Sequence, residues 1–138
     1  MSAMEEVFDF FSSVSEAGGA FYLATVDGDQ PTVRPLGFKM MVDGILYLGV
    51  GTFKSVYKQI EANPKVQLVA YDGSQWVRVT AKAVIADDPA LVDKCFDLAP
   101  RLKSTYEANG WDMGIIGIQE GTIQWIERPM KVVREETF

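Results

Sequence analysis

Met4, Val7, Phe8, Phe11 and Val14 recur at helical spacing, with Glu5, Glu6 and Asp9 set between them. Ser2 offers a cap ahead of this run, and Gly18-Gly19 ends it. The period then shortens. Phe21 to Val26 reads as a strand closed by the turn Asp27-Gly28-Asp29-Gln30. Thr32 to Lys39 reads as a second strand, the turn Val42-Asp43-Gly44 follows, and Ile45 to Val50 reads as a third. Tight turns between such runs describe an antiparallel meander.

The pattern predicts a helix from Phe53 that stops at Asn63-Pro64, because proline disfavours helical geometry in the residue before it. Val66 to Tyr71 is the next strand, and Asp72-Gly73-Ser74 turns the chain into a long alternating one. There Val77, Val79, Ala81, Ala83 and Ile85 share one face, while Trp76, Arg78, Thr80 and Lys82 share the other. Asp88-Pro89 opens a helical region as cap and first position. Pro100 interrupts it and Asn109-Gly110 closes it. Met113 to Gln119 and Thr122 to Glu127 read as a last hairpin around Glu120-Gly121. Seven antiparallel strands with few helices predict a mainly β fold, a small β-barrel with flanking helices, in one domain over 1–138.

Composition narrows the function. The chain has 138 residues, 48% apolar and 23% charged, as in a soluble globular protein. A net charge of −6 argues against non-specific nucleic-acid binding, so an anion site has to be a local basic patch. No apolar run reaches the ~18 residues of a membrane span, and no secretory signal precedes the first helix. The lone Cys95 has no partner for an internal disulfide. These features lead us to expect a cytoplasmic protein without a membrane partner. There is no histidine, which removes Ser-His-Asp and Cys-His nucleophilic machinery, His-ligated metals and, with one cysteine, structural zinc. Redox or group-transfer chemistry would then fall to a bound cofactor.

The candidate chemistry gathers in two segments. Ile45 to Lys58 reads as a buried strand, a glycine hinge and a helix start carrying Gly51, Thr52, Lys54, Ser55 and Lys58. Unpaired amides at a helix start suit a phosphate, and Lys54 and Lys58, four apart, share a helical face. The alternative is an ordinary capped helix with solvated lysines. The segment lacks the third glycine of a dinucleotide fingerprint, and Phe53 stands where a P-loop needs its last glycine. The second segment is Arg34-Pro35-Leu36-Gly37-Phe38-Lys39. Arg34, Leu36 and Phe38 would lie on one face, a guanidinium beside a flat apolar surface. Pro35 confines the strand to an edge or a bulge, and Gly37 admits close backbone approach. The alternative is an edge strand with a solvated arginine. Trp76, Trp111 and Trp125 serve either core packing or ligand stacking. Cys95 reads as inert core, and Asp87-Asp88 as helix capping.

With Ile60-Glu61-Ala62-Asn63-Pro64-Lys65-Val66, these two segments resemble the pyridoxamine-phosphate-oxidase-like, FMN-binding split barrels. The resemblance covers Phe21 to Ala86 by motif and the remainder by element order. It implies a homodimer that holds FMN in the subunit interface. By that resemblance Arg34 contacts the phosphate or ribityl chain, and the main chain of Pro35, Leu36, Gly37 and Phe38 lies along the isoalloxazine. Gly51, Thr52, Lys54, Ser55 and Lys58 hold the phosphate. Trp76 takes a family position, often glutamine, that faces the cofactor; tryptophan is a departure there, Gln75 and Trp76 are the implied contacts, and Trp125 approaches the flavin from the partner subunit. The C-terminal Ile126-Glu127-Arg128-Pro129-Met130-Lys131 lacks the arginines and histidine of a true pyridoxamine-phosphate oxidase. The chain looks more like the shorter, nitroimidazole-reductase-like relatives. The function so implied is an FMN-dependent oxidoreductase passing electrons to a small planar acceptor. A deazaflavin- or haem-binding relative and a non-catalytic flavin-binding module are the rivals. Haem would have to use Cys95, a tyrosine or a methionine.

Overall fold

The computed structural model describes residues 1–138. Helix α1 (Ala3–Glu16) forms over the first periodic run. The Ser2 hydroxyl accepts the Glu5 amide at 3.1 Å, and Met4, Val7, Phe11 and Val14 are buried. The strands are β1 (Phe21–Asp27), β2 (Gln30–Leu36), β3 (Lys39–Val42), β4 (Ile45–Gly51), β5 (Lys65–Tyr71), β6 (Gln75–Ile85), β7 (Met113–Glu127) and β8 (Lys131–Thr137). Helix α2 (Ser55–Ala62) joins β4 to β5, while α3 (Pro89–Leu98) and α4 (Pro100–Asn109) lie between β6 and β7. No helix is long and apolar enough to cross a membrane.

All pairings are antiparallel, in the order β2-β1-β5-β6-β7-β4-β3, with β8 added on β7. The two end strands, β2 and β3, follow each other in the chain but do not pair. The sheet curls round and stops short of closing, which makes the architecture a split barrel. Its inside is filled by alternate residues of the strands, among them Leu23, Leu48, Leu68, Val79, Ile116 and Ile123, all fully buried. Phe11 of α1 stacks on Phe21 at 5.2 Å and seals one end. A smaller cluster of Met40, Tyr47, Cys95, Tyr106, Met113 and Ile115 packs beneath α3 and α4.

Three expectations need correction. The strand expected over Thr32–Lys39 is two strands, because β2 stays on β1 as far as Leu36 while Lys39 pairs with Leu48 of β4. The helix expected from Phe53 begins at Ser55. Lys54 N–H closes a turn on Gly51 O at 3.0 Å, and Phe53 is drawn onto Trp111, which takes it off the helical path. The last hairpin is a single strand, β7. At Glu120-Gly121 the chain bulges rather than reverses, with Glu120 at φ 46° and the β6 register shifting between Thr80 and Lys82. Gly121 is required there: a Cβ would fall 1.9 Å from the Thr80 carbonyl oxygen. One edge of β7 thus serves β4 with Met113–Ile118 and β8 with Thr122–Glu127.

Candidate functional site

The candidate site is the seam of the barrel. Pro35 sits on an edge strand, where its missing N–H is harmless. Gly37 and Phe38 lie between the two unpaired edges, and their peptide groups make no main-chain hydrogen bond. A cavity of about 450 Å³ opens along this stretch. Arg34, Pro35, Leu36, Gly37 and Phe38 form one side, Gly49, Val50, Lys54 and Val56 the floor, and Ala99, Leu102, Tyr106 and Met113 the far wall. Gly49 is tightly enclosed, since a Cβ would stand 3.1 Å from Phe38 Cδ1 and 3.3 Å from Met113 Sδ.

Arg34 points inward from β2. Its guanidinium donates to Leu23 O (3.0 Å), Thr25 Oγ1 (2.8 Å) and Gln59 Oε1 (3.0 Å), and Thr25 Oγ1 donates in turn to Gln59 Oε1 at 2.6 Å. Burial holds its pKa below the usual arginine value. Five N–H donors less these three leave two for a ligand. The network ties β1 and β2 to α2.

Helix α2 has no side-chain cap. Tyr57 and Lys58 donate to Lys54 O, but the amides of Phe53, Ser55 and Val56 have no main-chain partner. Free amides and the positive end of the helix dipole therefore lie at the start of α2, on the same turn as Lys54 and Lys58. Lys54 lines the seam cavity. Ser55 and Lys58, with Gln59, line an adjoining cavity of about 210 Å³ against the β1–β2 turn. The two cavities flank the first turn of α2, with Lys54 lining one and Lys58 the other. The Thr52 N–H donates to Asp112 O at 3.0 Å, so any phosphate contact from Thr52 falls to its hydroxyl. Gly51 is buried at the end of β4, with no room for a Cβ, which would lie 2.4 Å from Phe53 Cε1.

The remaining candidates lie elsewhere in the chain. Gln75 opens β6, its N–H bound to Asp72 Oδ1. Trp76 lines a separate cavity with Tyr71, Arg128 and Met130, and the Arg78 guanidinium stands 5.1 Å from its ring. Trp125 is in the core, only 8% exposed, with Arg134 over its ring at 4.2 Å. Asp88 caps α3 through the Ala90 amide, whereas Asp87 does not cap. It accepts from the Tyr57 hydroxyl and from Ile115 N–H (2.9 Å), clasping α2 to β7. Cys95 is fully buried, and burial pushes its thiol up to about 11.

Thr25, Gln59 and Tyr106 were missed. Thr25 carried a legible signal, a polar residue on the inward row after Phe21 and Leu23 that demands a buried partner. Gln59 and Tyr106 carried none, because only the fold brings α2 and α4 to the seam.

A family model described as pyridoxamine 5'-phosphate oxidase matches residues 5–121. No curated protein matches the chain. Among solved structures, a NimC/NimA family protein from Clostridium acetobutylicum is 29% identical with a TM-score of 0.80, covering 98% of this chain and 90% of its own. General Stress Protein 26 from Bacillus anthracis is 21% identical with a TM-score of 0.65, covering 91% and 96%. A heme binding protein from Mycobacterium smegmatis is 13% identical with a TM-score of 0.63, covering 89% of this chain and 54% of its own. The last two share the fold. With the match running through β1, the seam and α2 to the β7 bulge, this chain belongs to the pyridoxamine 5'-phosphate oxidase family.

Proposed function

We propose that the chain binds FMN along the seam and serves as a flavin-dependent oxidoreductase for a small planar acceptor. The observation that carries this is the convergence of Arg34–Phe38 and Lys54 on one cavity of about 450 Å³ beside an uncapped helix start. The volume is in the range of small-molecule sites, ~300–1,000 Å³. The free peptide groups of Gly37 and Phe38 match the ring's hydrogen-bonding edge. Gly49 has no side chain, which lets Phe38 and Met113 pack closely against the strand there. The α2 amides with Lys54, Ser55 and Lys58 suit the phosphate.

FMN supplies the redox chemistry when bound. The protein's own part is to hold the phosphate, to keep Arg34 rigid through Thr25 and Gln59, and to shield the cavity with Leu102, Tyr106 and Met113. Haem fits less well: the chain has no imidazole, and the Cys95 thiol stays protonated. Within one chain Gln75 and Trp76 lie away from the seam, so in this proposal they reach the cofactor of a partner subunit. Tyr71 and Met130 are exposed beside Trp76 and would be covered in such a homodimer. Trp125 packs in its own core.

The test is the absorption spectrum of the purified protein and the mass of any ligand it releases. Absorbance near ~450 nm and release of FMN support the reading. A colourless protein that also fails to bind added FMN refutes it, and a deazaflavin or haem mass replaces it. Light scattering reporting a monomer that holds FMN tightly refutes the shared site.

A further inference from the structure

One polar side chain in the seam cavity remains without a partner for its proton. Tyr106, on α4, lines the far wall and is only 5% exposed. Its ring is held edge-on by Trp111 at 5.6 Å and by Phe96 at 6.2 Å. The hydroxyl donates to no acceptor of the chain, unlike those of Tyr57 and Tyr71, which reach Asp87 Oδ2 and Gly73 O. Nor is it sealed away from solvent, and the cavity it lines is the seam. Burial raises its pKa above the ordinary tyrosine value, against a smaller pull from the Gly51 N–H, so the phenol keeps its proton. A phenylalanine would make the same ring contacts without the cost of burying a hydroxyl. The neighbours of Tyr106 in that wall, Ala99, Leu102 and Met113, are apolar.

We infer that Tyr106 is the hydrogen-bond donor with which the far wall holds the occupant of the seam, and that the group it takes is a neutral carbonyl oxygen. The inference rests on the flavin reading, in which that carbonyl belongs to the flavin ring or to the acceptor lying against it. Neutrality follows from the wall. An anion there would lie among three apolar side chains, while Arg34 and Lys54 belong to the other side of the cavity and its floor. A ligand with only carbon at that point displaces water from the hydroxyl and leaves it unpaired, so the wall selects for the oxygen.

The test compares the full chain with Tyr106→Phe in two arms. In the first, FMN carrying carbon-13 at its carbonyl positions is bound to each protein, and a carbonyl resonance that moves upfield in the variant assigns the flavin as the recipient. In the second, acetophenone and ethylbenzene are titrated by calorimetry into the protein as purified. If the acceptor is the recipient, the ketone should lose about 5- to 10-fold in affinity in the variant, while ethylbenzene, which lacks the oxygen, changes by less than about 2-fold. Movement in either arm supports the donor. In the unsubstituted protein the recipient should also show NOEs to the Tyr106 ring, which do not depend on how the variant folds. Both arms unmoved, or NOEs from the Tyr106 ring to neither ligand, overturns the donor and, where FMN still binds, leaves the flavin reading intact. Tyr106-dependent ketone binding by a protein that cannot bind FMN sinks the flavin reading and leaves the donor standing.

Discussion

The seam and the wall opposite it are built from the same alternating strands, yet they use their backbones differently. In the wall, β6 pairs with β7 from Gln75↔Glu127 to Ile85↔Ile116, and Val77, Val79 and Ile123 are fully buried. At the seam, Gly37 and Phe38 have no main-chain partner, and the first amides of α2 are equally free. Backbone groups are nearly always paired once removed from water. Gly37, Phe53 and Ser55 are exposed, so water satisfies their free groups, and in the proposed reading FMN takes the place of that water. If the wall makes the fold and the seam holds the proposed cofactor, substitutions should separate into two classes.

The largest effect belongs to the wall. Gly121→Ala places a methyl against the Thr80 carbonyl and Ala81 Cα, both backbone, so neither can give way. Chemical denaturation should show a loss of at least ~3 kcal/mol, well beyond that of a surface change. A loss under ~1 kcal/mol would mean that the bulge is not packed as described.

At the seam the opposite outcome is expected. Lys54→Ala with Lys58→Ala should leave stability within ~0.5 kcal/mol and weaken FMN binding about 10- to 100-fold, followed by fluorescence titration. Increasing salt should narrow the difference from the unsubstituted protein. Equal affinity in the double variant would remove the α2 start from the site.

The smallest effect tests the clasp joining the two regions. Burial first, and then the Asp87 hydrogen bond and charge, push the Tyr57 hydroxyl up to about 12. The folded state therefore favours the neutral phenol, and the clasp's contribution is complete below the unfolded value of 10.0 and lost as pH rises toward about 12. Tyr57→Phe should cost about 1 kcal/mol at neutral pH, because Asp87 is exposed and water can replace the hydroxyl. The stability gap between the two proteins should close between pH 10 and about 12. A gap that widens over that interval would contradict the assignment.

The sequence carried much of the wall. Alternation in Val77–Ile85, the Ser2 cap and the stop at Asn63-Pro64 are local rules, and the chain obeys them. Legibility failed where tertiary context chose between local options. Glu120-Gly121 has turn residues, but a neighbouring strand on each side makes a bulge of them. Lys131–Thr137 went unread as β8: it is exposed along its whole length and so lacks an apolar face. At the seam, Arg34 to Phe38 and Lys54 were legible as motif. The wall contributed by Tyr106 and the Thr25–Gln59 brace was not, since those residues meet only after the sheet has curled.

The most direct test of the central claim is amide chemical-shift mapping as FMN is added to flavin-free protein. The largest shifts should fall on Gly37, Phe38, Phe53, Ser55 and Val56, the amides that the chain leaves unpaired. FMN binding that leaves these five unmoved, with the main shifts on another face of the barrel, would contradict the account.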